Sequence, residues 1–408
     1  MNKLLSIKQI RCFFVLCIIS LSMGANAQFK MPKFGKGLNF IAKDTTFKLK
    51  FNARIQNLFT VEYDMGNTDS LVMNRFDANF MVRRARLKFG GYAFSPNIVY
   101  KIEFGLSNKD ISTDKEDGLG SDASRIILDA VLKWKFGKNK NYELWVGQTK
   151  LPGNRERVIS SGSLQLVDRS LVNSKFNIDR DMGIHLRAKW KLGNVIIAPS
   201  VVVSQGEGRD ITAGNFGGLS YTGHLEFKPL GDFTKKGDFF GADLYREEQP
   251  KLAIGLTANY NDRAIRQGGQ LGAFVKDTLG NYVENSLSNY MADLMFKYKG
   301  LSIHSEFAYR MAAQQLDYTS KNFNTGYGFN FQMGYLFKKN CELAGRFTMV
   351  RKDNNYSGLS DTNEYTLAFS KYIVGHNLKI QTDIGYSHDP AKISEGVIRF
   401  RLQFEMQF

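Results

Sequence analysis

The sequence predicts an all-β protein: a transmembrane antiparallel β-barrel of sixteen strands over residues 28–408, preceded by a signal peptide over residues 1–27. Three observations predict it. The last twelve residues alternate strictly between apolar and polar. The same rhythm recurs upstream through the chain. The links between alternating segments are by turns short and long.

The N-terminus comes first. Lys3, Lys8 and Arg11 precede an apolar run from Cys12 to Met23, and Ala25-Asn26-Ala27 supplies the small residues of a signal-peptidase site, with cleavage expected before Gln28. About a dozen apolar residues are too few for a helical anchor, which needs roughly 20. No lipobox precedes Cys17. Removal of this segment leaves Cys341 as the one cysteine, so no internal disulfide is expected. The formal charge of +16 becomes about +13. Such an excess suits nucleic acid, a membrane surface or an anionic solute, and export argues against nucleic acid. No later apolar stretch approaches 18 residues. The mean hydropathy of -0.30 fits a soluble protein and a barrel equally, because only alternate strand residues of a barrel face lipid.

The strands are legible from period two. From Ile398 the even positions read Ile, Phe, Leu, Phe, Met and Phe, ending on Phe408, while Arg399, Arg401, Gln403, Glu405 and Gln407 take the odd ones. Soluble strands usually alternate over about five or six residues. The terminal aromatic on the apolar face resembles the signal by which outer-membrane barrels are recognised for insertion, so the barrel assembly machinery is an expected partner. Ile126 to Phe136, Met182 to Trp190, Leu301 to Met311 and Tyr327 to Phe337 repeat the rhythm. Sixteen strands are expected to begin near residues 46, 71, 97, 124, 141, 179, 194, 219, 251, 287, 301, 326, 341, 362, 377 and 396.

The links agree with this division. Gly137 to Lys140, Lys338 to Asn340 and Gly375-His376 are short, whereas Ser107 to Ala123, Lys150 to Ile178 and Asp262 to Ser286 are long and polar. Short periplasmic turns and long outer loops are the habit of outer-membrane barrels. An even strand number puts both termini in the periplasm. Pro229 to Pro250 is the exception, a long link where a short turn belongs. Trp134, Phe136, Trp190, Tyr298, Tyr335, Phe337 and Tyr372 stand at strand ends beside the short turns, as an aromatic girdle does.

Arg83 to Phe104 (RRARLKFGGYAFSPNIVYKIEF), Leu144 to Leu171 (LWVGQTKLPGNRERVISSGSLQLVDRSL) and RDMGIHLRAKW from Arg180 resemble, in sequence and order, the phosphate-selective porin O and P family. The resemblance spans the mature chain. It implies a porin-like channel, a homotrimer, an inward-folded third loop as constriction, and a basic lining for anions such as phosphate or polyphosphate.

If apolar faces meet lipid, the opposite faces meet water. Basic candidates for the lumen are Arg84, Arg86, Lys88, Lys101, Lys133, Arg187, Arg399 and Arg401, with Lys135, Lys189, Arg310, Arg346 and Lys379. Acidic ones are Glu103, Asp129, Asp293, Glu306, Glu342, Asp383 and Glu405. Charges of both signs on a wet wall also pair across strands without any selective role. Arg83 beside Arg84 breaks the alternation and implies a bulge. The Lys150 to Ile178 link is the expected constriction, since links of such length are functional or disordered. Val158, Ile159, Leu164, Leu166, Val167, Leu171 and Val172 are placed to hold it to the wall, and Arg155, Arg157, Arg169, Lys175 and Arg180 to face the passage. Guanidinium forks favour phosphate-like anions, and rings of Arg or Lys select anions. The alternative is an exposed loop with ordinary surface arginines.

No enzyme is expected. His185, His224, His304, His376 and His388 lie in no nucleophile motif. Asp210, Asp277 and Glu284 lack calcium-loop spacing. No cofactor or metal is expected. The function read from the sequence is an anion-preferring diffusion channel of the cell outer membrane, set among lipid and lipopolysaccharide. Its rivals are a general non-selective porin, a barrel enzyme and a closed barrel with a surface-interaction role.

Overall fold

The computed structural model describes residues 33–66, 76–107, 110, 126–209, 217–316 and 322–408. The expected signal peptide and its Ala25, Ala27 and Gln28 lie outside these residues, as does Asp210. The strands are β1 (Leu38–Ile41), β2 (Phe47–Asp64), β3 (Phe76–Ala93), β4 (Ser95–Gly105), β5 (Ile127–Phe136), β6 (Tyr142–Lys150), β7 (Arg180–Ala188), β8 (Trp190–Leu192) and β9 (Val195–Ser204). They continue as β10 (Ser220–Lys228), β11 (Lys251–Ala264), β12 (Asn285–Tyr298), β13 (Leu301–Ala312), β14 (Gly326–Leu336), β15 (Cys341–Lys352), β16 (Thr362–Tyr372), β17 (Leu378–His388) and β18 (Val397–Gln407).

From β2 onward each strand pairs antiparallel with the next, β7 and β8 both with β9, and β18 closes on β2 from Val397↔Asp64 to Gln407↔Arg54. β7 and β8 are one strand interrupted at Lys189, since both pair with β9. The wall therefore has sixteen staves and no open edge. Closure is obligatory in hydrocarbon, where an unpaired backbone group costs several kcal/mol. Fourteen of the sixteen expected starts fall within two residues of the observed ones. The other two, near 71 and 124, fall on residues outside those described.

β1 was not foreseen. β18 ends opposite Arg54, so the first part of β2 overhangs it, and Leu38–Ile41 pairs with Lys48 to Phe51 along that bare edge. Phe408 finishes the seam, exchanging both backbone hydrogen bonds with Ala53 at 2.9 and 3.0 Å.

The faces follow the alternation. Phe400, Phe404, Leu186 and Phe307 are 40–50% exposed on the outer side, whereas Arg310 and Arg401 are buried within. Arg187 and Arg399 also turn inward. Leu128 overturns its expected outward position. The register shifts between Glu103 and Phe104, which pair with Asp129 and Ile127, so Leu128 is the surplus residue of a bulge and turns inward at 2% exposure. Tyr372 also leaves the expected girdle: it is buried and its hydroxyl donates to Glu342 at 2.6 Å. The bulge expected at Arg83 is present. Gln56 pairs with Arg84 and Asn57 with Val82.

The long link after β10 is an insert that folds back into the short-turn mouth. Lys297, on the inner face of β12, donates to the carbonyls of Gly237, Phe240 and Ala242 at 2.7–2.9 Å. Arg246 donates to the carbonyls of Leu336 and Phe337, fastening the insert to the β14–β15 turn.

Candidate functional site

The loop between β6 and β7 lies inside the barrel. It carries two short helices, α1 (Arg155–Val158) and α2 (Leu171–Phe176). Its apolar residues decide which wall it takes. Leu151, Val172, Phe176 and Ile178 pack with Val202, Met291, Ala308 and Val350, while Leu166 packs with Ala344 and Ala368. Ile159 and Leu164 meet Phe233 and Met295. Gly328 on β14 makes this contact possible, because a Cβ there would stand 2.9 Å from both Val172 and Phe176.

Polar anchors complete the seat. Glu306 accepts from the Glu156 backbone N–H at 2.6 Å and from Asn154 at 2.9 Å. Arg310 donates to the carbonyls of Lys175 and Phe176. Arg346 donates to the Asp168 carbonyl at 2.8 Å. From the opposite end, the Gly241 N–H of the periplasmic insert donates to the Ser163 carbonyl at 2.7 Å. The loop is thus held from the wall and from below.

With one side of the lumen filled, the space left runs along the inner faces of β3 to β7, bordered by β16 and β18 at one end and by β10 and β12 at the other. It comprises two adjoining chambers. The upper one, 440 Å³ on the long-loop side, is lined among the described residues by ten Lys and Arg side chains against four Asp and Glu. Among them are Arg83, Arg84, Arg157, Arg169, Arg399 and Arg401. The lower one, 290 Å³, has eight against three, including Lys88, Lys101, Lys133 and Arg187. The residues common to both are Arg86, Lys150 and Arg180.

These cations have different partners. Arg86 pairs with Glu103 at 3.2 Å, and Arg180 with Asp129 at 2.9 Å. Lys88 stands 3.7 Å from Glu103. Lys101 bridges Glu103 and Asp129. Arg401 is clamped to Asp383 at 2.7 Å, and Arg399 pairs with Glu62 at 2.6 Å. The loop and the basic wall meet at Asp168, whose carboxylate takes Arg83 at 2.7 Å and Arg84 at 3.2 Å. Burial alone would raise this carboxyl group's pKa, but Arg84 and Arg83 outweigh burial and hold it well below the usual range.

The loop arginines expected at the passage divide by task. Arg157 lines the upper chamber while paired with Asp179. Arg169 also lines it, yet its guanidinium is tied to the carbonyls of Glu156 and Ile159 at 2.8 Å. Arg155 lines the lower chamber, buried between Asp293 and Glu226. Lys175 is exposed and lines neither chamber, while α2 turns Val172 and Phe176 to the wall. Lys189 falls at the β7–β8 interruption and pairs with Asp232 at the rim.

Lys150, Asp168 and Trp145 are among the lining residues that the sequence reading did not single out as functional candidates. Lys150 ends β6, and its ammonium donates to the carbonyls of Arg157, Val158 and Ile159 at 2.6–3.1 Å, closing the C-terminal end of α1. Trp145 had a signal. It stands at a polar-face position between Leu144 and Val146.

The arrangement offers a solute a narrow, cation-rich path with guanidinium donors above and lysines below. A family model described as phosphate-selective porin O and P matches residues 55–392. No curated protein matches the chain. Among solved structures, an anion-selective porin from Comamonas acidovorans superposes with TM-score 0.54 at 8% identity, covering 88% of this chain and 99% of that one. OprB of Pseudomonas putida, at high pH, gives 0.52 at 9% identity over 88% and 94%. The trimer form of OmpT from Vibrio cholerae gives 0.51 at 10% identity over 88% and 99%. At such identities the likeness concerns the fold.

Proposed function

Because the chain belongs to the phosphate-selective porin O and P family, we propose that this outer-membrane channel passes small anions, phosphate and polyphosphate among them, through the gap between its third loop and the β3–β7 wall. One observation carries the reading. The two chambers share Arg86, Lys150 and Arg180, so a solute moving between them meets three cations at the junction. A fixed charge acts strongly only where the path is narrow and partly dehydrated, because in open water it is screened within about 8 Å at physiological salt. An anion there exchanges hydration for N–H donors, and paired donors from arginine suit a tetrahedral oxyanion. Family and fold point to a channel rather than an enzyme.

The test is the reversal potential of the purified protein in a planar bilayer under a potassium chloride gradient. Anion selectivity is expected, together with a chloride current that falls as phosphate is added. A cation-selective reversal potential would overturn the proposal, and equal permeabilities would favour a general porin. We further propose a homotrimer, in line with the trimer form of the Vibrio cholerae neighbour. Light scattering in detergent tests it, and a monomer mass would reject it.

A further inference from the structure

The protein has three tryptophans. Trp134 and Trp190 lie on the outer face, 52% and 39% exposed, where an amphipathic ring belongs. Trp145 lines the lower chamber. Its indole N–H donates to Glu143 at 2.7 Å, which fixes the plane of the ring. The Lys133 ammonium stands 3.4 Å from the ring centroid and the Arg187 guanidinium 4.4 Å from it.

Neither cation forms an ion pair among the described residues, in contrast to Lys101 on the neighbouring stave, which is bound to Glu103 at 3.1 Å and to Asp129. An aromatic face attracts a cation through its quadrupole without neutralising it. Trp145 therefore sets the direction of two charges and leaves both available to a solute.

The wall around them is not uniformly polar. Leu151, Pro152, Val158 and Phe239 line the same chamber, whereas among the described residues the upper chamber has only Leu128 and Leu171 as apolar side chains. A chloride or bare phosphate ion gains nothing from apolar surface. An anion carrying a ring does, and few convergent polar groups on an apolar wall are the usual make-up of an organic-ligand site.

We propose that the lower chamber holds an organic-oxyanion site, in which Lys133 and Arg187 bind the phosphoryl group of a phosphomonoester and Trp145 receives its ring. The site rests on the reading of the chain as an anion channel. The phosphoryl oxygens draw the two cations off the indole, and the freed face stacks against the organic group.

Phenyl phosphate and inorganic phosphate are the probes. In wild-type channels, phenyl phosphate is expected to block the chloride current at about ten-fold lower concentration than phosphate, the scale of one ring-on-ring contact. In a W134F/W190F variant, where Trp145 is the remaining tryptophan, phenyl phosphate should change the indole emission saturably over the same range. Lys133→Gln with Arg187→Gln should abolish that change, and Trp145→Leu should bring the two blocking concentrations together. Equal block by both probes, or indole emission that phenyl phosphate leaves unmoved, overturns the site while an anion-selective reversal potential keeps the channel reading. A cation-selective wild type overturns both.

Discussion

Asp168→Asn is the sharpest test of how charge acts in the upper chamber. Among the described residues Asp168 is one of four acidic side chains lining it against ten basic ones, and it sits directly on Arg83 and Arg84. Asparagine keeps the shape and a carbonyl oxygen for the arginine donors but removes the charge. At about 5 Å in water, one unit charge changes an ion's energy by about 0.8 kcal/mol. Screening over a Debye length of about 8 Å roughly halves it. Chloride gains what potassium loses, so the permeability ratio should shift by about 0.9 kcal/mol, or four- to fivefold towards chloride. The assay is the reversal potential under a salt gradient, with single-channel conductance as the check that the loop has stayed in place. An unchanged ratio, or one shifted towards potassium at unaltered conductance, would refute the electrostatic reasoning. Because the adjacent arginines hold Asp168 well below the ordinary carboxylate range, the wild-type ratio should not step between pH 8 and pH 5 through this group.

Three further outcomes follow from the packing. Glu306→Ala removes the acceptor for the Glu156 N–H and for Asn154; it should give larger, noisier single-channel currents while unheated samples still migrate as folded barrel, and an unchanged conductance counts against the anchoring role. Gly241→Val places a side chain against the backbone of Gln165, so loop and insert must separate, which trypsin cleavage within residues 154–170 would report and protection would contradict. Phe408→Asp puts a charge on the lipid face of the closing seam, where charged substitutions cost up to about 2–4 kcal/mol at mid-membrane and less near the rim. The yield of heat-modifiable barrel should fall far below that of Gln407→Glu, and equal yields would remove the special role of the aromatic.

The wall was legible because a barrel stave repeats every two residues, and each of its twelve or so positions reports its face. A one-residue bulge is the weak point of such a reading. Arg83 betrayed its bulge by placing two arginines together, whereas Leu128 hid its own, since Ile126 and Ile127 make either phase plausible there. Tyr372 misled for a related reason: a ring at a strand end suits the lipid interface, and only Glu342 across the β15–β16 pair reveals that it turns inward. The inward loop was legible from length and apolar content. The tasks of its arginines were not, because Arg155 and Arg169 differ from Arg157 only in partners contributed by folding. The insert announced itself as an anomaly of length, and its purpose is visible only where Gly241 meets Ser163.

The seating of the third loop has a consequence for the order of events in assembly. Its partners come late in the chain: Asn154 to Glu306 spans 152 positions, Gln165 to Ser370 spans 205, and Val167 to Asp383 spans 216. Contacts so distant form slowly, because chain entropy is lost before they repay it. The loop cannot come to rest until β13, β16 and β17 stand in the wall. Narrowing therefore belongs to the same late stage of assembly as closure of the wall by β18.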